Sequence, residues 1–328
     1  MPNIQLNIGN QHFQFEASTE ASLLDEALQS GAPINYSCKR GDCGQCAGTL
    51  TSGQIMTINP AYPSRTGDDI LLCNTSASSD IRIQMPYFPE LESIHVLRSP
   101  TKIYSLNRLS AEIMEVTLRL PPAHNFQFLP GQFIRLTNKA KVTRSYSLAD
   151  CPREDNLLRL HIRRVDGGAF SQYLFEQAKE GDLLHMEGPQ GHFFVREADQ
   201  ANKSIFLATG TGIAPVLAIL LGLNDNQRVA LGHISVYWGN RARADEYLTE
   251  ELRLLSQRFS FDYWPVFSRE ADADTRHVQD LMAAHHDELS DALVFACGNT
   301  SMIESARELC ATMGLPSGRF RCDPFTPS

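Results

Sequence analysis

No run of this 328-residue chain approaches the ~18 consecutive apolar residues that a membrane-spanning helix needs. Its N-terminus lacks any resemblance to a signal peptide, so the expected location is cytoplasmic. A disulfide framework is not expected either, because that device belongs to much smaller secreted domains. An excess of positive charge is missing as well: 38 acids against 29 lysines and arginines leave −9, which argues against a nucleic-acid surface. The sequence has no internal repeat and no low-complexity tract. Its histidines are scattered, and even His285-His286 sits without metal-ligand spacing, so none is assigned to a metal. With 42% apolar residues the chain can bury substantial cores, enough for two or three domains.

Against these absences stand four cysteines. Cys38, Cys43 and Cys46 lie on one tight loop, Cys-Lys-Arg-Gly-Asp-Cys-Gly-Gln-Cys, and Cys73 is far along the chain. This is the plant-type spacing for a 2Fe-2S cluster, in which a compact loop supplies three thiolates and a separate segment the fourth. Gly41 and Gly44 suit such a loop, since without a Cβ they reach left-handed conformations and let backbone N–H groups turn toward the sulfurs. Structural zinc is the alternative, but zinc frameworks usually pair two Cys-x-x-Cys knuckles and the second is missing here. Residues 1–90 carry nine acids against four bases. That balance reads either as an electron-donor face for a basic partner or as ordinary solvated charge.

Hydrophobic patterning divides the chain. Ile4, Leu6 and Ile8, then Phe13 and Phe15 beyond Gly9-Asn10, predict a hairpin. A helix is expected from about Ser22 to Ser30 with Gly31 as its stop, and alternation returns at Ile81, Ile83 and Met85. Together these predict a β-grasp domain over residues 1–90, followed by a proline-bearing linker at Pro86–Glu92. Residues 91–200 read as an antiparallel β-barrel of short strands, punctuated by Pro130-Gly131, Asp166-Gly167-Gly168 and Gly188-Pro189. From 201 to 328 strands and helices alternate, which predicts a parallel-sheet α/β nucleotide-binding domain with a last strand at Arg319–Cys322.

Four further elements carry chemistry. Arg144-Ser145-Tyr146-Ser147 sets a cation, an aromatic ring and a hydroxyl along one strand. Barring a bulge, Arg144 and Tyr146 share a face that can hold a flavin by its phosphate and its ring, with Ser147 bonding the reactive edge. Gly168-Ala169-Phe170-Ser171 opens a helix whose free N–H groups suit a pyrophosphate. Gly210-Thr211-Gly212-Ile213-Ala214-Pro215 follows the apolar strand Ile205–Ala208. It departs from the dinucleotide fingerprint because Pro215 stands where the third glycine belongs, although proline in a first turn leaves the helix intact. Cys297-Gly298-Asn299 ends another strand, where open parallel sheets collect ligands, and Cys297 is a candidate lining of a nicotinamide pocket. Cys310, at helical spacing with apolar residues, reads as core, and Cys151 and Cys322 as structural.

In this order the elements resemble the ferredoxin-reductase-type flavoproteins with an N-terminal plant-type ferredoxin domain, and the resemblance covers essentially the whole chain. It implies FAD contacts at Arg144, Tyr146, Ser147, Ile162, Arg163, Gly168 and Ser171. It implies NAD(P)H contacts at Gly210, Thr211, Gly212, Cys297 and Gly298, catalytic roles for Ser147 and Cys297, and Phe325 as an aromatic shield over the flavin. The implied activity is an NAD(P)H-dependent oxidoreductase passing electrons through FAD and the cluster to a protein acceptor.

Two subgroups share the layout: reductase components of multicomponent oxygenases, and the CDP-6-deoxy-3,4-glucoseen reductases, which donate to a deoxysugar dehydratase. The stretches Tyr87–Leu91, Leu118–Pro122 and Glu187–Glu197 look more like the sugar enzymes. Arg241 and Arg243, after the strand Ile234–Trp238, are where a 2′-phosphate would bind or are simple surface charge, so NADH and NADPH both stay open. A reading of another class is an iron-sulfur redox sensor or passive electron carrier.

Overall fold

The computed structural model describes residues 1–36, 38–41, 43–66, 69–122, 125–270 and 277–325. The chain forms two compact units, Met1–Ser93 with Gln190–His192, and Ile94–Pro189 with Phe193–Ser328. Asp42 and Asp68 of the N-terminal acidic balance lie outside the described residues. Among those described, no helix is long and apolar enough to cross a membrane.

In the first unit, β1 (Asn3–Ile8) and β2 (Gln11–Glu16) make the expected hairpin around Gly9-Asn10. Helix α1 (Leu23–Gln29) starts where the Ser22 side chain accepts the Asp25 N–H, and it buries Leu23, Leu24 and Ala27. Then come β3 (Ala47–Ser52), β4 (Ile55–Thr57), β5 (Arg65–Thr66), β6 (Asp69–Leu71), β7 (Thr75–Ala77) and β8 (Ile81–Met85). Six of these strands form a sheet in the order β2-β1-β8-β3-β6-β5, with β1 parallel to β8, while β4 and β7 pair separately. Period-two alternation holds along β8: Ile81, Ile83 and Met85 are buried, Arg82 and Gln84 exposed. One apolar cluster, including Ile4, Leu6, Leu24, Ile70 and Ile83, packs the helix on the sheet in a β-grasp.

The second unit opens with β9 (Leu97–Arg108), β10 (Ile113–Arg119), β11 (Phe133–Thr137), β12 (Thr143–Ser147), β13 (Leu157–Arg163), α2 (Ala169–Glu176) and β14 (Leu183–Gln190). The sheet order is β12-β11-β14-β9-β10-β13. Its two edges meet, since Leu148 bridges Leu160 and the Ala149 N–H donates to the Arg159 carbonyl at 2.8 Å, which closes the antiparallel sheet into a barrel.

The chain continues through β15 (Lys203–Thr209), α3 (Ile213–Gly222), α4 (Asp225–Ala230), β16 (His233–Asn240), α5 (Thr249–Phe259), β17 (Asp262–Phe267), α6 (Val278–His285), β18 (Ala292–Asn299), α7 (Thr300–Thr312) and β19 (Phe320–Phe325). All five strands are parallel, ordered β17-β16-β15-β18-β19. Strand order therefore reverses at β15, and the crevice beyond the carboxyl ends of β15 and β18 is the topological switch point of this sheet. Helix α3 is buried on nearly every side, which suits an element lodged between the sheet and its surroundings.

Two elements differ from expectation. Helix α4, unforeseen in the sequence, is fixed by a capping box in which Asn224 and Gln227 exchange side-chain and backbone hydrogen bonds. Strand β19 runs past Cys322 to Phe325, and Pro324 is tolerated there because β19 is an edge strand.

Candidate functional site

The cysteine loop is shaped by backbone conformation. Lys39, Gly41 and Gly44 have φ of 55°, 84° and 71°, so the chain repeatedly enters the left-handed region. A Cβ on Gly41 would meet the Pro63 carbonyl oxygen at 2.4 Å, so only glycine fits that turn. The turns aim N–H groups inward: those of Arg40 and Cys43 donate to the Cys38 sulfur at 3.3 and 3.4 Å. Cys73, on the short turn after β6, completes the quartet.

The four thiols make a chain of close pairs, Cys43 with Cys38, Cys38 with Cys73, and Cys73 with Cys46. Sharing of protons between neighbours pushes Cys38 and Cys46 down and Cys43 and Cys73 up. Among the described residues no three or more His, Cys, Asp or Glu side chains converge on a site for a single metal ion. A two-iron cluster instead takes two thiolates on each iron, and the pairs Cys38/Cys43 and Cys46/Cys73 supply that grouping. The donor set, with its inward N–H groups, fits a 2Fe-2S cluster.

In the barrel, β12 pairs with β11 in unbroken register. Arg144 and Tyr146 consequently share one face, and Ser147, the last residue of the strand, is buried. Tyr146 packs against Phe170 with ring centroids 5.6 Å apart, and burial pushes its hydroxyl pKa up. Ile162 is 1% exposed in the barrel core, which leaves only its backbone for a ligand. Arg163 turns outward and donates to Glu112 Oε2 at 2.9 Å. Helix α2 begins at Gly168 with no side-chain cap, so its first N–H groups face outward uncapped. The Ser171 hydroxyl is spent inside the turn, accepting the Val165 N–H at 3.1 Å and lying 3.0 Å from the Gly168 carbonyl it donates to.

At the switch point the glycines are sterically required. A Cβ on Gly212 would lie 2.3 Å from the Cys297 carbonyl oxygen, and one on Gly298 2.3 Å from Thr209 Oγ1. The turn after β15 and the end of β18 are thus in backbone contact, a cradle that any side chain would fill. Gly210 has φ +52°, and the Trp238 indole N–H donates to its carbonyl at 2.8 Å, which fixes the turn from β16. Gly210 also faces Arg163, whose Nη1 would stand 3.4 Å from a Cβ there, so the barrel and nucleotide motifs adjoin.

Cys297 sits inside β18 with no exposed surface, and burial, with Asp323 and Cys322 nearby, pushes its thiol well above the usual range. It is a neutral thiol. Phe325 packs against the apolar cluster that includes Cys297.

Sequence reasoning missed Asp323. It is 6% exposed, lies opposite Cys297 in the ladder, and its Oδ2 is 3.4 Å from the Ser147 hydroxyl. The sequence signal available was an acid two residues before a C-terminal aromatic, hidden by ending the strand at Cys322. Thr211, in the single 3-10 turn between β15 and α3, lies between these groups in the chain and is partly exposed.

Comparison with known proteins identifies the parts. Residues 6–78 match a 2Fe-2S iron-sulfur cluster binding domain, 100–195 an oxidoreductase FAD-binding domain, and 206–308 an oxidoreductase NAD-binding domain. The chain is 35% identical over 325 residues to a CDP-6-deoxy-L-threo-D-glycero-4-hexulose-3-dehydrase reductase of Yersinia pestis, covering 96% of both chains. It is 33% identical to reductase component 1 of a Comamonas terephthalate 1,2-dioxygenase, covering 99% of this chain and 98% of that one. In fold it resembles an Amycolatopsis cytochrome P450 reductase, with a TM-score of 0.75 at 24% identity over 99% of each chain.

Proposed function

Because the chain belongs to the NAD(P)H-dependent iron-sulfur flavoprotein reductases, with 2Fe-2S, FAD-binding and NAD-binding domains, we propose that its acceptor is a CDP-6-deoxyhexulose 3-dehydrase-type enzyme. The electron path runs from NAD(P)H through FAD and the cluster to a protein partner. When bound, FAD takes an electron pair from the nicotinamide and hands electrons singly to the cluster. The assignment of residues 1–90, 91–200 and 201–328 to cluster, flavin and nucleotide belongs to the same proposal.

The observation that carries the reductase chemistry is the meeting of Ser147, Asp323 and Cys297 beside the Gly210–Gly212 turn. Ser147 orients the flavin edge, with Asp323 accepting its hydroxyl proton in a hydrogen bond and so fixing its rotamer. Cys297, a neutral thiol with no exposed surface, backs the nicotinamide site without adding charge. Phe325 covers the same region and keeps water out until the nicotinamide arrives. Arg144, Arg163 and the uncapped start of α2 at Gly168 and Ser171 receive the flavin's phosphates, Tyr146 its ring, and the Ile162 backbone its edge. Gly210, Thr211, Gly212 and Gly298 let the dinucleotide backbone approach closely.

Cys38, Cys43, Cys46 and Cys73 hold the cluster. For the acceptor, support comes from the 35% identity to the Yersinia enzyme together with the Tyr87–Leu91 and Glu187–Glu197 stretches. A second reading, an oxygenase component, has support in the 33% identity to the Comamonas reductase. Titrating purified dehydrase or oxygenase into an NADH oxidation assay separates them. Acceleration by the dehydrase alone is the expected result, and acceleration by the oxygenase alone overturns it.

A further inference from the structure

Arg241 leaves the carboxyl end of β16, the position at which parallel nucleotide sheets read the adenosine ribose. Its guanidinium is already engaged on two sides. Nη2 donates to Glu112 Oε2 at 2.5 Å, and Nε donates to Asp245 Oδ2 at 3.3 Å. Glu112 comes from the barrel, in the connection between β9 and β10. It is well anchored there: its carbonyl accepts the Arg164 N–H at 2.8 Å, its N–H donates to Ser110 Oγ at 3.3 Å, and Oε2 also accepts Arg163 Nη2 at 2.9 Å. Arg243, the other basic residue of this segment, lies with its guanidinium 4.8 Å over the Phe267 ring, and its backbone N–H donates to Glu270 at 3.0 Å.

Resting on the reading that NAD(P)H binds at the switch point, we propose that Glu112 is a specificity-determining residue that makes the ribose end of the site select NADH over NADPH. Glu112 and Asp245 flank the Arg241 guanidinium, and Glu112 is shared with Arg163, so the Arg241 charge is already balanced before any nucleotide arrives. A 2′-phosphate would have to break the Glu112 pair and then sit beside the carboxylate it displaced, and like charges at that range repel. A ribose hydroxyl meets no such barrier, because it donates to a carboxylate that is present. The selecting charge is supplied from the barrel, across from the sheet that binds the nucleotide.

The test is Glu112→Gln in the full-length protein, which removes the charge and keeps the size. Calorimetry gives the affinities for 2′,5′-ADP and 5′-AMP, and turnover with ferricyanide gives kcat/KM for NADPH and NADH. Both ratios, phosphorylated over unphosphorylated, are expected to rise about tenfold. Adding Arg241→Ala is expected to cancel the rise, since Arg241 is the group set free. Ratios that move less than about twofold, or a rise that survives Arg241→Ala, overturn the proposal. So does a wild-type protein that prefers NADPH. If neither nucleotide is oxidised, the reductase reading falls with it, whereas turnover with unmoved ratios sinks only the role of Glu112.

Discussion

Ser147 Oγ lies 3.4 Å from Asp323 Oδ2, both side chains buried, so the last residue of a barrel strand is tied to the edge strand of the parallel sheet. Asp323 is also the ladder partner of Cys297. One hydrogen bond therefore fixes the hydroxyl proposed to orient the flavin relative to the thiol proposed to line the nicotinamide site. Hydride transfer depends on such placement, because small errors in alignment of the reacting rings are costly.

Ser147→Ala should slow flavin reduction by NADH about a hundredfold, as loss of a positioning contact does at a reacting centre. Stopped-flow bleaching of the flavin band measures it, and FAD content of the purified variant serves as the control. A variant that binds FAD and reduces it at the wild-type rate would remove Ser147 from the mechanism.

Gly212→Ala should weaken nucleotide binding while sparing the cluster. The added Cβ would lie 2.3 Å from the Cys297 carbonyl oxygen, and backbone cannot yield as a flexible side chain can. The turn must move away from β18, and the cradle opens. We expect 5′-AMP and NADH affinity to fall at least about tenfold, with the cluster's visible and paramagnetic signatures intact. Retained affinity would show that the turn and the β18 end do not form the nucleotide site.

Much of this arrangement was legible in the sequence, for reasons that differ between elements. Alternation in β8 and the Gly9-Asn10 turn are local signals, and both stand in the fold as read. The shared face of Arg144 and Tyr146 follows from strand pleating once β12 proves free of a bulge. Asp323 was hidden because Pro324 reads as a strand breaker, and nothing local says that β19 is an edge. Glu112, 129 residues before Arg241, was beyond reach for another reason. Pairing at such separation is set by how the barrel and the parallel sheet pack, which no periodicity encodes. Ile162 shows the converse: the resemblance offers it as a flavin contact, while its alternation with Leu158 and Leu160 assigns its side chain to the core.

Asn74→Ala should loosen the cluster. The Asn74 side chain, 4% exposed beside Cys73, lies within hydrogen-bonding distance of the carbonyls of Asn59, Tyr62 and Pro63 and accepts the Asn59 N–H. The Pro63 carbonyl is also the group against which Gly41 packs. One amide thus braces the segment behind both Cys73 and the three-cysteine loop. Each of these part-buried hydrogen bonds contributes about 0.5–1.5 kcal/mol. Iron release to a chelator, followed by loss of the visible cluster bands, should be faster in the variant. An unchanged release rate would show that the thiolates alone hold the loop.

Acid should strip stability from the second unit through Glu115. Its Oε2 accepts Arg159 Nε at 2.5 Å, and Arg159 donates to both Glu251 oxygens of α5 at 2.9 Å, which joins the barrel to the nucleotide sheet's helix. The His161 imidazole and the Arg159 guanidinium hold the Glu115 carboxyl at about 2, overcoming the opposite effect of burial. A carboxyl depressed in the folded state contributes stability that is fully present above its unfolded pKa, near ~4.3, and is lost as pH falls toward 2. The contribution at neutral pH is on the order of 2–3 kcal/mol. Trp238 and Trp264 are the chain's two tryptophans and both lie in this unit, so denaturant unfolding followed by their fluorescence reports on it. The gap in unfolding free energy between wild type and Glu115→Gln should be widest at pH 7 and close steadily below pH about 4.3. A gap that stays constant down to pH about 3 would mean that the Arg159 network stabilises through shape rather than charge.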